Sequence, residues 1–127
     1  MNSTEEIVVL ITTPKEEEAA KIARALVEAR LAACVNIVKD IRSIYRWQGK
    51  IEDDTEILLI VKTKKKLFEA LAAEVKGIHS YTVPEIIALP IVQGLEDYLK
   101  WLSESTCTGK EATKNGGKEF NQDKTQK

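Results

Sequence analysis

Residues 41–52 have the sequence IRSIYRWQGKIE, and this stretch decides the fold. Every second residue of its first half is apolar, aromatic or small, which is the two-residue period of a β-strand. Gly49-Lys50 can form a turn, and a returning strand covers residues 51–62. The hairpin is long for so small a domain, and its aromatic residues, Tyr45 and Trp47, need a covering surface. We therefore expect part of it to pack on another copy of the chain.

The segment before the hairpin predicts a strand, a helix and a second strand. Residues 7–11, IVVLI, form an apolar and mostly β-branched run, typical of a strand covered on both faces. Thr13 is the predicted N-cap of the helix, and Pro14 is its first residue. Glu16 follows Thr13 by three positions and completes a capping box. The second strand is expected over residues 33–38. The helix has an apolar face at helical spacing, made of Ala19, Ile22, Ala23, Leu26 and Ala29.

The segment after the hairpin adds a helix, a strand and a final helix. Apolar residues at helical spacing predict the first helix over residues 67–78, and a strand follows over residues 85–89. Pro90 restricts that strand to a sheet edge or a bend. The last helix covers residues 95–105. The order strand, helix, strand, strand, helix, strand, helix predicts an α+β, ferredoxin-like split βαβ fold with an extra C-terminal helix.

Composition is typical of an ordinary globular protein of one domain. The chain has 127 residues, of which 43% are hydrophobic and 31% charged, and its formal net charge is -1. Such a charge attracts neither nucleic acid nor an anionic membrane, and no apolar run is long enough to cross a bilayer. Two cysteines without framework spacing, together with the absence of a signal peptide, predict a cytoplasmic location.

The composition changes at Thr106. Residues 106–127 are polar and rich in lysine, with few apolar side chains. Such a segment cannot bury enough surface to offset its ordering entropy. We predict one folded domain over residues 1–105 and a disordered tail over residues 106–127.

Several segments, in order, resemble the CutA family of divalent-cation tolerance proteins. Residues 31–37, LAACVNI, resemble a strand of that family, and residues 43–52, SIYRWQGKIE, match its hairpin motif. The match continues to the end of the folded part and covers roughly residues 7–105. The resemblance implies a ferredoxin-like subunit in a tight homotrimer, with the long hairpins forming sheets between subunits. It also implies a role in copper or divalent-cation tolerance and an architecture similar to the trimeric PII signalling proteins.

The resemblance points to Cys34 and His79 as candidate metal ligands. Thiolate favours Cu(I), and imidazole suits several divalent metals. Family members that bind metal often have a second cysteine and a second histidine where this chain has Ile11 and Ile78. A trimer would supply further ligands by bringing together three copies of one side chain. The alternatives are a cysteine that packs as a small hydrophobe and a histidine that packs at a helix C-terminus.

A second candidate site would bind a small anion or form an interface. Thr63 is predicted to cap the second helix, so that Lys62 and the lysines after it ring a helix N-terminus, where anions bind. The alternative is that these lysines extend into water. Tyr45 and Trp47 are predicted interface aromatics, with stacking on a ligand as the alternative, and Tyr81 belongs to the same candidate group.

No catalytic constellation is visible, since the chain has no glycine-rich phosphate loop and only one histidine. We therefore predict a protein that is not an enzyme and requires no cofactor, with copper or another divalent cation as an expected ligand. The first functional hypothesis is a trimeric copper-binding tolerance protein of the CutA type. The alternative is a PII-like trimeric sensor or scaffold that binds a small anion or a protein partner between subunits. The sequence names no such partner.

Overall fold

A computed structural model describes residues 4–107, and these form one antiparallel sheet with three α-helices. The order of elements confirms the predicted α+β, split βαβ plan with its C-terminal helix. Within the described part, no helix combines the length and the apolar character needed to cross a bilayer. The elements are β1 (Glu6–Thr13), α1 (Glu16–Glu28), β2 (Cys34–Trp47), β3 (Lys50–Lys64), a 3-10 turn (Lys65–Leu67) leading into α2 (Phe68–Ile78), β4 (Ile86–Pro90) and α3 (Glu96–Ser105).

The sheet has the strand order β2-β3-β1-β4, so β4 is an edge strand. Pro90 lies in β4 opposite Ile7 of β1. An edge position tolerates proline, because its missing N–H costs no ladder hydrogen bond there. The predicted edge strand is thereby confirmed. In the central strands, Val9, Leu59 and Val61 are fully buried in one core with the inner faces of α1 and α2.

The hairpin strands β2 and β3 have 14 and 15 residues, or roughly 45–50 Å of extended chain. Trp47 pairs with Lys50, which leaves a two-residue loop of Gln48 and Gly49. Their φ angles are 50° and 81°. Positive φ at both residues is the turn geometry that matches the twist of paired strands. The turn therefore lies one residue before the predicted Gly49-Lys50.

A one-residue bulge interrupts the first strand of this hairpin. The register of β2 against β3 shifts between Val38 and Ile41. Asp40 lies in this interval with a φ of 60°, a conformation that aspartate adopts more readily than most residues. Because strand side chains alternate between faces, the extra residue exchanges the faces of every later side chain in β2.

Helix α1 begins at Glu16, two residues later than predicted. Lys15 is its N-cap, in an extended conformation, and no side chain caps the helix there. The Thr13 hydroxyl donates instead to the Lys15 carbonyl oxygen at 3.3 Å, because Thr13 is the fully buried end of β1. The predicted capping box is therefore wrong. Three glutamates in the first turn supply the negative charge that a helix N-terminus favours.

Thr106 and Cys107, which fall in the predicted tail, are buried against the domain. The Thr106 hydroxyl donates to the Leu102 carbonyl oxygen at 3.0 Å and so covers the end of α3. The Cys107 N–H donates to the Arg30 carbonyl oxygen at 3.0 Å, and the Arg30 guanidinium lies 3.9 Å from the Cys107 sulfur. The rest of the predicted tail, 108–127, lies outside the described residues.

One face of the sheet is left open. Val9 and Val61 point to the face that α1 and α2 cover, and the residues between them in each strand point the other way. The chain's own helices thus cover only one side of β1, although its apolar sequence predicts a strand covered on both faces. We call the other side the open face. It consists of half-buried Val8, Leu10, Leu58 and Ile60, and of Val38, Ile87 and Leu89, which are 39%, 49% and 48% exposed.

We expect Leu26→Ala in α1 to lower the free energy of unfolding by about 2–5 kcal/mol, because it leaves a cavity at a fully buried position. The matched control is Val27→Ala at the next residue, which is 43% exposed. That change should stay within about 0.5 kcal/mol, since alanine is also the better helix former. Denaturant unfolding followed by circular dichroism measures both variants. Equal losses would contradict the assignment of the inner face of α1.

Candidate functional site

A groove of about 780 Å³ opens beside the hairpin. Tyr45 and Trp47 of β2 line it together with Tyr81, which lies in the loop between α2 and β4. Glu56 of β3 and Glu85 of the same loop supply two carboxylates. We call this site the aromatic groove. It unites three of the five residues predicted for an anion or interface site.

The bulge in β2 brings the hairpin aromatics to the aromatic groove. Ile41 pairs with Glu56, and Tyr45 pairs with Glu52. Paired side chains share a face, as do alternate residues of one strand, so Tyr45 and Glu56 point the same way. Without the extra residue at Asp40, the ring of Tyr45 would point to the other face of the hairpin.

Both tyrosine hydroxyls of the groove donate to carboxylates. Tyr45 donates to Asp54 Oδ2 at 2.6 Å, and Tyr81 donates to Glu56 Oε2 at 2.7 Å. The bond to Asp54 raises the pKa of Tyr45 to about 12. Burial, together with the bond to Glu56, also raises the pKa of Tyr81. The two phenols therefore stay neutral hydrogen-bond donors throughout the physiological pH range.

The aromatic groove carries more negative than positive charge. Among its described lining residues, Arg42 is the one arginine or lysine. Its guanidinium makes two hydrogen bonds to the Asp53 carboxylate, at 2.9 and 2.7 Å, so its charge is already matched. Glu56 is only 5% exposed, whereas Glu85 is exposed and accepts a long bond of 3.4 Å from Thr12. This arrangement favours a cationic ligand over an anionic one.

His79 anchors the loop that carries Tyr81. Its side chain is fully buried just after α2. Nε2 lies 2.7 Å from the Thr12 carbonyl oxygen and donates to it, whereas Nδ1 accepts the Tyr81 N–H at 3.0 Å. Glu18 Oε2, 3.3 Å from Nδ1, accepts the Ser80 N–H at 2.9 Å. Both ring nitrogens are engaged inside the chain, which is the packing role given above as the alternative to metal binding.

Cys34 is a free, half-buried cysteine at the start of β2. It pairs with Lys62, which pairs with Val8, so the thiol lies at the end of the open face. The Lys62 ammonium donates to the side-chain oxygen of Asn36. Tyr98 of α3 lies nearby, and burial and the charge of Cys34 raise its pKa.

The structure does not bring the two predicted metal ligands together within one chain. Cys34 pairs with Lys62 of β3. His79 bonds to Thr12, which pairs with Leu58 of the same strand. Four residues of strand, or about 13 Å, separate these levels. In the described part of the chain, no three histidine, cysteine, aspartate or glutamate side chains lie close enough to hold one metal ion.

Lys62 and Thr63, the predicted frame of an anion site, point to opposite faces of β3. Thr63 is fully buried, and its hydroxyl donates to the Leu31 carbonyl oxygen at 2.7 Å. The predicted helix cap by Thr63 is therefore wrong. The strand continues to Lys64, and a 3-10 turn precedes α2, which begins at Phe68.

Sequence patterns do not single out Glu56, Glu85 or Arg42, the charged residues that line the groove. Glu56 does carry a signal, because it directly precedes the apolar run of residues 57–61, and a carboxylate buried there needs a partner. The others lie on the surface. With 20 acidic residues in the chain, composition alone does not distinguish Glu85.

We expect all three tyrosines to ionise above their usual pH of about 10, because the pKa of each is raised. Asp54→Asn should lower the pKa of Tyr45 from about 12 towards 10, since it removes the charged acceptor. The matched control is Asp53→Asn, because Asp53 binds Arg42 instead. Ultraviolet absorbance titration measures the ionisation. An unchanged Tyr45 in Asp54→Asn would show that the bond is not formed in solution.

The raised pKa of Tyr45 also makes the free energy of unfolding depend on pH. A phenol whose pKa is raised on folding stabilises the native state fully below pH 10, the unfolded value, and this contribution is lost as the pH rises towards the folded value of about 12 for Tyr45. The free energy of unfolding should therefore fall between these two pH values, and less so in Asp54→Asn.

Residues 7–105 match the family model described as CutA1 divalent ion tolerance protein. The divalent-cation tolerance protein CutA of Thermus thermophilus is 60% identical over 101 residues, which are 80% of this chain and 98% of that protein. The chloroplastic protein CutA of Arabidopsis thaliana is 51% identical over 100 residues, 79% of this chain and 55% of that protein. The chain thus spans about half the length of this plant relative.

Solved structures show the same similarity. The structure of the Thermus thermophilus protein has a TM-score of 0.79 at 60% identity and covers 80% of this chain and 99% of its own. That of CutA1 from Oryza sativa has a TM-score of 0.80 at 47% identity and covers 84% of this chain and 98% of its own. The family model extends from β1 to the end of α3. The chain therefore belongs to the CutA1 divalent ion tolerance protein family.

Proposed function

We propose that the protein works as a homotrimer that binds divalent cations, copper among them, with Cys34 as the leading ligand at the subunit interfaces. The observation that carries the proposal is the open face, an apolar surface that ends at a free thiol. Its role is binding rather than catalysis, in line with a family named for ion tolerance. Free thiols at Cys34 and Cys107 suit the reducing cytoplasm in which we place it.

The open face supports assembly because apolar surface of this extent is unfavourable in water. Its seven side chains form a continuous patch across β2, β3, β1 and β4. At the hairpin tip, Ile44 and Ile51 are 64% and 61% exposed, on the opposite side of the hairpin from the open face. The resemblance to CutA proteins implies three copies, and a closed symmetric ring would bury the same patch of every subunit.

Cys34 is a better candidate copper ligand than His79. A thiolate is a soft ligand that prefers Cu(I), and Cys34 lies at the end of the open face through which we propose that the subunits assemble. His79 already uses both ring nitrogens, towards Thr12 and Tyr81, and must release one of them before it can bind a metal. Since one chain offers no complete ligand set in its described part, the remaining ligands would come from neighbouring subunits.

The alternative function, a sensor or scaffold with a small anion between its subunits, has less support. The Thr63 hydroxyl is buried and bonded to Leu31, and the Lys62 ammonium binds Asn36. The aromatic groove carries carboxylates that would repel an anion.

We expect light scattering coupled to size exclusion to give a mass near three times 14.2 kDa. Ile87→Asp on the open face should shift the protein towards monomer, because assembly would bury an unpaired charge. Val27→Asp is the matched control, since Val27 is similarly exposed, 43% against 49%, but lies on α1. A clean monomer of the unmodified protein would contradict the proposed assembly.

We expect Cys34→Ser to weaken Cu(I) binding at least tenfold, because a serine oxygen is a poor ligand for this soft ion. Anaerobic competition with a chromogenic Cu(I) chelator measures the affinity. Cys107→Ser is the matched control, since the Cys107 thiol is buried beside Arg30 and should not contribute. His79→Gln tests the second predicted ligand. Equal affinity in all of these variants and the unmodified protein would remove Cys34 and His79 as ligands.

A further inference from the structure

We propose that Lys62 sets the charge selectivity of the Cys34 site, because its ammonium group favours the monovalent ion Cu(I) over divalent ions such as Zn(II). This inference rests on the proposed function and deepens it, since it states how the thiol ranks its ions and which residue causes the ranking.

Lys62 and Cys34 are direct neighbours across two strands. Cys34 of β2 pairs with Lys62 of β3, and both residues are half-buried. Directly paired side chains share a face of the sheet, and their Cβ atoms are about 4.5–5.5 Å apart. The ammonium group and the sulfur therefore lie at the same end of the open face.

Asn36 holds the ammonium group beside the thiol. It lies two residues after Cys34 in β2, so the two side chains point to the same face. Its side-chain oxygen accepts from the Lys62 ammonium and lies 4.0 Å from the Cys34 sulfur. One amide oxygen thus contacts both groups, and the Lys62 side chain reaches across to β2 rather than into solution.

The positive charge of Lys62 is not matched by a carboxylate. Lys64, the next lysine on this face of β3, lies directly opposite Glu6 of β1, whereas Lys62 lies opposite Val8. The acceptor for its ammonium group is the uncharged amide of Asn36, and among residues 4–107 it makes no ion pair. Assembly through the open face would exclude water here, which strengthens the interaction of this charge with a bound ion.

Charge distinguishes two ions that a thiolate accepts alike, since cysteine sulfur binds both Cu(I) and Zn(II). Coulomb energy is proportional to the product of the charges, so Lys62 repels a divalent ion about twice as strongly as a monovalent ion at the same position. If loss of the ammonium group raises Cu(I) affinity by a given factor, it should raise Zn(II) affinity by about the square of that factor. Each ion also displaces the same thiol proton, so any effect of Lys62 on the thiolate cancels in the ratio of the two affinities.

Competition with chromogenic chelators measures both affinities on the full-length, assembled protein, under anaerobic conditions for Cu(I). Lys62→Gln removes the charge and keeps a polar side chain. We expect it to raise the ratio of Zn(II) affinity to Cu(I) affinity at least about threefold, because the divalent ion gains more from the loss of repulsion. Lys62→Arg keeps the charge and should leave the ratio unchanged.

Further variants locate the effect at the thiol. Lys76→Gln is the matched control, because it makes the same change in net charge at an exposed position on α2. It should leave the ratio unchanged. Lys62→Gln added to Cys34→Ser should also leave the ratio unchanged, since the effect requires an ion at the sulfur. Should Lys62→Gln prove unstable, Asn36→Ala provides a second test: it releases the ammonium group and should raise the ratio at least about twofold.

A rise below threefold in Lys62→Gln would overturn the proposal, as would an equal rise in Lys62→Arg or Lys76→Gln. Absence of saturable Zn(II) binding in both the unmodified protein and Lys62→Gln would overturn it too, because charge would then not be what disfavours Zn(II). If Cys34→Ser leaves both affinities unchanged, the proposed copper site fails together with this inference. If Cys34→Ser weakens Cu(I) binding but the ratio does not respond to Lys62→Gln, only the charge selectivity fails.

Discussion

The extra residue in β2 determines what the long hairpin presents to its surroundings. Strand side chains alternate between faces, so one inserted residue moves every later side chain of β2 to the opposite face. Asp40 accommodates this insertion with its positive φ. Beyond it, Tyr45 reaches Asp54 and lies on the same side as Glu56, where Tyr81 arrives from another part of the chain. The aromatic groove therefore depends on a backbone irregularity rather than on any single side chain.

A second constraint fixes the other wall of the groove. His79 donates to the Thr12 carbonyl oxygen, accepts the Tyr81 N–H and lies beside Glu18, so one buried ring joins β1, α1 and the loop before β4. Ser80 is tied to Glu18 by its own N–H. These bonds fix the loop between α2 and β4 within the chain, without any ligand. A preorganised wall lowers the ordering entropy that binding would otherwise cost.

The fold could be predicted from periodicity, because the strands and helices are long and their apolar residues repeat cleanly. Local details depend on contacts made elsewhere in the chain. Thr63 has the right residue type for a helix cap, yet tertiary structure uses its hydroxyl to satisfy the Leu31 carbonyl oxygen. Thr13 is the last residue of β1, and its hydroxyl donates to the nearby Lys15 carbonyl oxygen instead of capping the helix. Tyr45 and Trp47 share a face with Glu56 only because the bulge in β2 sets the register, and no pattern in the sequence predicts a bulge at Asp40.

Cys34 and the aromatic groove lie at two levels of β3, the first near its C-terminal end and the second near its middle. Cys34 is level with Lys62, six residues from Glu56, or about 20 Å of strand. Beside the thiol, the Lys62 ammonium disfavours a hard, highly charged cation, whereas a soft ion gains more from the sulfur itself. Near the middle of the strand, Glu56 accepts the Tyr81 hydroxyl, and Tyr45 lies on the same side. Leu58 and Ile60 lie between them on the same face, so assembly through the open face would bring a second subunit next to both.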